Sequence, residues 1–268
     1  MQGDILMKIG FFDSGIGGIT VLREAIRCMP NESYIYYADT EHVPYGTKNK
    51  NEVREYVFNA AEFLAQNGIK MLVVACNTAT SLAIKDLRQK YHFPIVGMEP
   101  AVKPAVEISL NKDKRVLVLA TPITLSEDKF KNLVLRVDSE HIVDYIAVPE
   151  LVEFAEKFEF ETKEVKDFLI NKLKDYDMSR YGTVVLGCTH FVYYKDVFRN
   201  ILPKNIDIID GNAGTVRNIM NILCEKNIKN NSNVRGSIEF YLSERIIEEP
   251  DLLKKYKCLA EGKLCNIR

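Results

Sequence analysis

"VVACNTATS", residues 73–81, is an apolar run that ends in Cys76 and turns at once to Asn77, Thr78 and Thr80. "VVLGCTHF", residues 184–191, repeats the plan with Cys188, Thr189 and His190. Continuous apolar runs of this length read as strands covered on both faces, the pattern of a parallel sheet. The switch to small polar residues marks the carboxyl end of each strand, with a helix start expected after it. Ligands of open parallel sheets bind at those ends. The two stretches therefore imply α/β architecture and two equivalent places for chemistry.

Working outward, further strands are expected at residues 8–12, 33–38, 94–98, 115–120, 142–148 and 206–210, with another at 237–243. Amphipathic stretches lie between them. Ile19, Leu22, Ile26 and Met29 fall at helical spacing, as do Val53, Val57, Ala61 and Leu64. Strands alternating with helices build parallel βαβ units. Residues 8–98 supply four strands and residues 115–210 four more, and in each set the third ends in the cysteine motif. The expected fold is two pseudo-symmetric α/β domains with mainly parallel sheets and the active site in the cleft between them. Residues 1–98 with 213–268 would form the first domain, carrying Cys76, and residues 99–212 the second, carrying Cys188. "EPAVKPAVE", residues 99–107, reads as a hinge with two prolines. Residues 215–227 read as a helix, and the tail is expected to pack back on the first domain. "FEFETKEVKDFLINKLKDYD", residues 158–177, reads as a solvated charged helix face.

The 268 residues are 47% hydrophobic and 27% charged, with a net charge of -1. This is ordinary globular composition, without the basic footprint of a nucleic-acid binder. No apolar run approaches a membrane span. "MQGDILMKIGFFD" at the N-terminus carries Asp4 and no small-residue cleavage site, so it does not read as a signal peptide. The six cysteines form no C-x-x-C pair and only four histidines are scattered among them, which speaks against a zinc site. A cytosolic protein with reduced thiols is expected.

A buried cysteine is ordinarily a packing residue. Two at matching strand ends point to chemistry instead. A helix N-terminus stabilises a thiolate, and Asn77, Thr78 and Thr189 can donate hydrogen bonds or cap. Two separate thiols facing one substrate suit proton exchange, in which one thiolate removes a proton and the opposite thiol delivers one. "FFDSGIGGIT", residues 11–20, lacks the G-x-G-x-x-G spacing of a dinucleotide loop. It reads as a tight turn exposing Asp13 and Ser14, with backbone N–H groups available to a carboxylate. Pro44-Tyr45-Gly46 is a turn whose Gly46 N–H could meet a ligand, and His190 could tune the Cys188 thiol.

Together, "IGFFDSGIGGITVLRE", "YYADTEHVPYG", "VVACNTATS", "VGMEPAVKPA" and "VLGCTHF" resemble the signatures of the bacterial glutamate racemase family, in order and at compatible spacing over residues 8–212. The resemblance implies a cofactor-independent enzyme that interconverts L- and D-glutamate, the D form feeding peptidoglycan synthesis. It matches Cys76 and Cys188 to the acid/base thiols. Asp13, His190 and Glu156 become their helpers, with Glu153 as the rival to Glu156. Substrate contacts would be Asp13, Ser14, Tyr45, Gly46, Asn77, Thr78, Thr189 and His190. The small-molecule partner would be glutamate, with no nucleic acid, membrane or metal, and the chain is expected to form a homo-oligomer, a dimer. The sequence departs from the family at "FVYY" after His190, where an aromatic residue followed by proline is common. It keeps Thr121, Thr124 and Ser126 in a looser segment. Aspartate or hydantoin racemases of the same superfamily would keep both thiols. A non-catalytic amino-acid-binding protein would not need the pair, and a Cys/His hydrolase would require an acyl intermediate on Cys188.

Overall fold

The computed structural model describes residues 7–264. Cys265 and the first six residues, part of the N-terminal stretch quoted above, lie outside them. The first sheet contains β1 (Lys8–Asp13), β2 (Tyr34–Ala38), β3 (Ile69–Val74) and β4 (Ile95–Gly97). The second contains β5 (Arg115–Ala120), β6 (Val143–Ala147), β7 (Tyr181–Leu186) and β8 (Asp207–Asp210). Two late strands, β9 (Ile238–Leu242) and β10 (Arg245–Ile246), return to the first sheet. The strand orders are β10-β9-β2-β1-β3-β4 and β6-β5-β7-β8. Without the β9–β10 hairpin the two orders are the same. All pairings among the described residues are parallel except β9 with β10. Even the register irregularity recurs, at Lys8/Ile9 in β1 and at Arg115/Val116 in β5.

Burial follows from that order. β3 and β7 sit between two strands and are buried throughout, which explains their continuous apolar sequence. β2 is equally buried because β9 covers its outer edge, whereas β6 is an outer strand and none of its residues is fully buried. The helices are α1 (Ile19–Cys28), α2 (Lys50–Gln66), α3 (Asn77–Lys90), α4 (Val102–Leu110), α5 (Pro122–Ser126), α6 (Asp128–Val137), α7 (Glu150–Glu156), α8 (Lys163–Leu173), α9 (Lys195–Ile201), α10 (Asn212–Glu225) and α11 (Pro250–Glu261). α10 and α11 lie against α1, and α10 also touches β4. The largest apolar cluster runs through both sheets, joining Ile16, Ile19 and Tyr36 to Leu151, Leu186 and Phe191.

The stretch read as a hinge is mostly helix, since α4 begins at Val102 and includes Pro104. Proline is tolerated there because the first turn of a helix needs no N–H from it. Val102, Ala105 and Val106 are buried on the second sheet, so the apolar face decided against a loop.

Candidate active site

Three strand ends supply the centre of the site. Asp13 closes β1, and Cys76 and Cys188 each stand two residues beyond the ends of β3 and β7. Cys76 is the residue before α3, with extended backbone, and its sulfur accepts the Ala79 N–H at 3.4 Å. Ser14 Oγ lies 3.9 Å from the same sulfur. Cys188 is built differently. The expected α-helix start after it is a 3-10 turn, Thr189–Tyr194, and its sulfur caps nothing. All six residues of that turn are buried, leaving no solvent face for an amphipathic α-helix. The sulfur of Cys188 lies instead 3.7 Å from His190 Nδ1.

Asp13 links the two thiol neighbourhoods. Its Oδ1 accepts from Gly15 N at 3.0 Å and lies 3.5 Å from Ser14 Oγ, and its Oδ2 accepts from Thr189 Oγ1 at 3.0 Å. A chain of contacts therefore runs from Cys76 through Ser14 and Asp13 to Thr189, the residue after Cys188. Burial pushes the Asp13 carboxyl above its usual value, against the opposing pull of His190 and the Gly15 N–H. Burial also pushes the Cys76 thiol well up, and the Asp13 charge adds to this, so the thiol form is held at neutral pH. His190 goes the other way from what burial alone would do. Burial lowers an imidazole, but the contacts to Cys188 and Glu156 outweigh it and raise His190 well above its usual value.

Glu156, at the end of α7, reaches across to the β1–α1 turn. Its Oε1 accepts from Ile16 N at 2.8 Å and lies 2.6 Å from His190 Nε2. Glu153 is exposed on the same helix. From sequence the turn is expected to offer N–H groups to a ligand carboxylate. The carboxylates that take the Gly15 and Ile16 N–H groups belong to the protein itself. Two glycines permit this approach. A Cβ on Gly15 would stand 1.9 Å from Glu156 Oε1, and one on Gly17 would stand 2.4 Å from His190 Nδ1.

Asn77 opens α3, is buried, and has no hydrogen-bond partner for either amide atom. A buried amide without partners is costly and is a natural place for a ligand. Thr78 Oγ1 lies 2.9 Å from Thr121 Oγ1 and 3.3 Å from Thr124 Oγ1, so hydroxyls from the two sheets meet in one cluster. Thr121 and Thr124 were noted in the sequence but not assigned to the site. The signal was the internal repeat, since Thr121 follows β5 as Ser14 follows β1. Tyr45 is buried, and its hydroxyl donates to Asp39 Oδ2 at 2.5 Å, so the phenol is already engaged within the protein. Asp39 also holds His42 Nδ1 at 2.8 Å and Ser243 Oγ at 3.1 Å, a role that sequence reading missed. A Cβ on Gly46 would stand 2.5 Å from Thr121 Cβ, so the turn lies directly on the second sheet's threonine.

Among the described residues no group of three or more His, Cys, Asp or Glu could hold a metal ion, and no helix is long and apolar enough to cross a membrane. The arrangement is two buried thiols, one beside a helix N-terminus and the buried Asp13 carboxylate, the other beside an imidazole backed by a carboxylate. Each thiol can in principle exchange one proton.

The family profile for Asp/Glu/hydantoin racemases matches residues 19–219. A glutamate racemase of Halothermothrix orenii is 59% identical over 250 residues, which cover 93% of this chain and 97% of that protein. Glutamate racemase 2 of Bacillus subtilis is 52% identical over 255 residues, covering 95% and 96%. The structure of Escherichia coli glutamate racemase in complex with L-glutamate and the activator UDP-MurNAc-Ala superposes with a TM-score of 0.79 at 29% identity, covering 93% of this chain and 95% of that one. Both the matched sequence and the matched fold thus run through the paired cysteine ends, and the chain belongs to the Asp/Glu/hydantoin racemase family, among its glutamate racemases.

Proposed function

We propose that the protein interconverts L- and D-glutamate by proton exchange between two thiols, with Cys188 acting on the L enantiomer and Cys76 on the D, and so supplies D-glutamate for peptidoglycan synthesis. The observation that carries this reading is the pair of buried cysteines at equivalent strand ends, with contacts through Ser14 and Asp13 leading from Cys76 to Thr189 beside Cys188. Their surroundings differ in the way such a reaction needs. The thiol form is favoured at Cys76, while the imidazole beside Cys188 favours holding a proton.

With L-glutamate bound, the Cys188 thiolate takes the α-proton. An S–H bond forms, the C–H bond breaks, and the electron pair passes onto Cα and into the α-carboxylate. The Cys76 thiol then delivers its proton to the opposite face, leaving a thiolate there and D-glutamate in the site. The reverse direction begins from that thiolate. Stabilising the carbanion-like transition state falls to fixed hydrogen-bond donors in a site with little water. Ser14, Asn77, Thr78 and Thr189 are the donors proposed to bind glutamate, with the backbone at Tyr45–Gly46 closing the site. Asp13, Glu156 and His190 are proposed to set the thiol protonation states. Cys76 and Cys188 are only 6% and 7% exposed. Substrate entry therefore needs the two α/β units, residues 1–98 with 213–268 and residues 99–212, to part.

Incubating the protein with L-glutamate in deuterated water tests the reading. Loss of optical rotation and gain of α-deuterium should proceed together. Turnover of aspartate and not glutamate would move the assignment to another racemase of the family, and binding without exchange would leave only an amino-acid binder.

A further inference from the structure

The β1–α1 turn holds two successive peptide groups in the same way. The carbonyl of Gly15 accepts the Tyr36 hydroxyl at 2.6 Å, and the N–H of the same peptide group, on Ile16, donates to Glu156 Oε1 at 2.8 Å. The carbonyl of Ile16 accepts the Tyr193 hydroxyl at 2.8 Å, and the N–H of that peptide group, on Gly17, points at His190 Nε2 at 3.3 Å. Resting on the two-thiol reading above, we propose that Tyr36 and Tyr193 are positioning residues for the Cys188 relay, each gripping the carbonyl of a peptide group whose N–H sets the Glu156–His190 pair.

A peptide group is planar and trans, so anchoring its oxygen fixes the direction of its N–H. A hydroxyl donating to the carbonyl also polarises the group and strengthens its N–H as a donor. The anchors come from different sheets. Tyr36 lies in β2, and Tyr193 in the 3-10 turn that follows Cys188. The turn is thus oriented from both sides, at the point where Glu156 and His190 cross from the second sheet to the first. Tyr193 stands inside "FVYY", the segment where the sequence departs from the family's common aromatic–proline pair. Both phenols remain donors at any working pH. Burial first, then the Asp13 charge for Tyr36 and the Glu156 charge for Tyr193, hold them well above the usual phenol range.

The Gly17 N–H has a definite effect on His190. Nε2 cannot donate to Glu156 and accept from Gly17 at once. An N–H fixed toward Nε2 opposes a proton there, against the pull of Glu156 at 2.6 Å. The groups around the imidazole are Cys188 on the same turn, Glu156 from α7 and Asp13 from β1, while Arg23 of α1 and Tyr256 of α11 lie near Tyr193.

The test uses Tyr36→Phe, Tyr193→Phe and the double variant. Each removes one hydroxyl and keeps the ring packing, on Phe240 for Tyr36 and on Phe160 for Tyr193. The first readout needs no substrate. With 15N-labelled imidazoles, the His190 signals, assigned by their loss in His190→Asn, are followed against pH. Tyr193→Phe is expected to move the His190 midpoint upward, because the N–H opposing a proton on Nε2 is loosened. The second readout is glutamate racemisation. Losing a net hydrogen bond of about 1 kcal/mol should lower kcat about five-fold in each single variant, with KM changed far less. A purely structural role would lower the melting temperature while leaving the His190 titration and the kcat per folded molecule as in the wild type, and that result overturns the proposal. An unchanged titration with an unchanged kcat overturns it equally. If the wild type exchanges no α-deuterium into glutamate, the two-thiol reading fails by itself, and the His190 titration still decides whether the tyrosines set this pair.

Discussion

Replacing Gly15 by alanine should separate the support of one thiol from that of the other. Gly15 has no positive φ, so alanine meets no backbone strain there. The obstacle is steric, because the new Cβ would stand 1.9 Å from Glu156 Oε1 and 2.6 Å from its Cδ. Ordinary contact begins near 3.4 Å, so the carboxylate must retreat by about 1.5 Å. It is the far end of a flexible chain with 17% exposure, and it can swing toward water. That retreat breaks both the Ile16 N–H contact at 2.8 Å and the His190 contact at 2.6 Å. Charge-assisted hydrogen bonds are worth about 1.5–3 kcal/mol. Two such bonds are lost, and alanine returns about 0.4–1 kcal/mol by restricting the unfolded chain, so the fold should lose about 2–5.5 kcal/mol. Activity per folded molecule should fall as well, because misplacing a catalytic support by about 1 Å costs on the order of 100-fold, or about 2.7 kcal/mol of barrier. The enantiomers have equal free energy, so kcat/KM must fall equally in both directions and cannot reveal which thiol was harmed. Analogues with a leaving group at the β-carbon can reveal it. Removal of the α-proton lets the carbanion expel that group, and the resulting enamine hydrolyses to a 2-oxo acid and ammonia without the second thiol. Release of the 2-oxo acid from the L analogue, which depends on Cys188, should drop with Gly15→Ala, and release from the D analogue should change little. Glu156→Gln should cost a similar amount, and the double variant should be no worse than Gly15→Ala alone. Equal losses for both analogues, or additive losses in the double variant, would refute the argument.

Cys76→Ser should abolish racemisation in both directions yet retain elimination from the L analogue, and Cys188→Ser should show the mirrored preference; full racemisation by either variant would end the two-base scheme. Asn77→Leu should raise the melting temperature or leave it unchanged, because both amide atoms are buried without partners, while KM for glutamate rises at least ten-fold; a loss of stability with unchanged KM would show that the amide serves the fold. His190 has a folded pKa above its unfolded value, so its contribution to stability is complete below about pH 6.5 and is lost as pH rises through the higher folded value. Urea titrations from pH 6 to 9 should therefore show the wild type losing stability relative to His190→Asn as pH increases, and parallel curves would contradict the raised value.

Periodicity made the frame legible. The runs ending at Cys76 and Cys188 are buried on both faces, so their apolar pattern is continuous, and each central strand falls where the sequence placed it. Less was legible where a contact distant in sequence decides the outcome. Glu153 and Glu156 stand three residues apart on α7, a spacing that puts two side chains on neighbouring parts of a helix surface. Only the approach of Gly15 and Ile16, 140 positions away in the chain, distinguishes the one that reaches His190. Tyr45 reads as a polar side chain beside a turn glycine. That its hydroxyl is already held by Asp39 depends on the loop's path and not on its composition.

The repeat explains why the two thiols lie together, and its imperfections explain why they differ. A strictly symmetric frame would give both cysteines the same surroundings and the same proton affinity, and one thiol would have no reason to hold its proton while the other released it. The departure begins immediately after the strand ends. After β3 the chain enters α3, and the Cys76 sulfur takes an N–H from the first turn. After β7 six buried residues force a 3-10 turn that brings His190 back to its own cysteine. β1 ends in Asp13, whereas its counterpart β5 ends in Ala120 followed by Thr121. The negative charge thus stands on the Cys76 side of the pair and opposes ionisation there. Glu156 backs the imidazole on the Cys188 side. Equivalent strand ends supply the two thiols, and unequal loops give them different neighbours, an N–H and a carboxyl at Cys76 and an imidazole at Cys188.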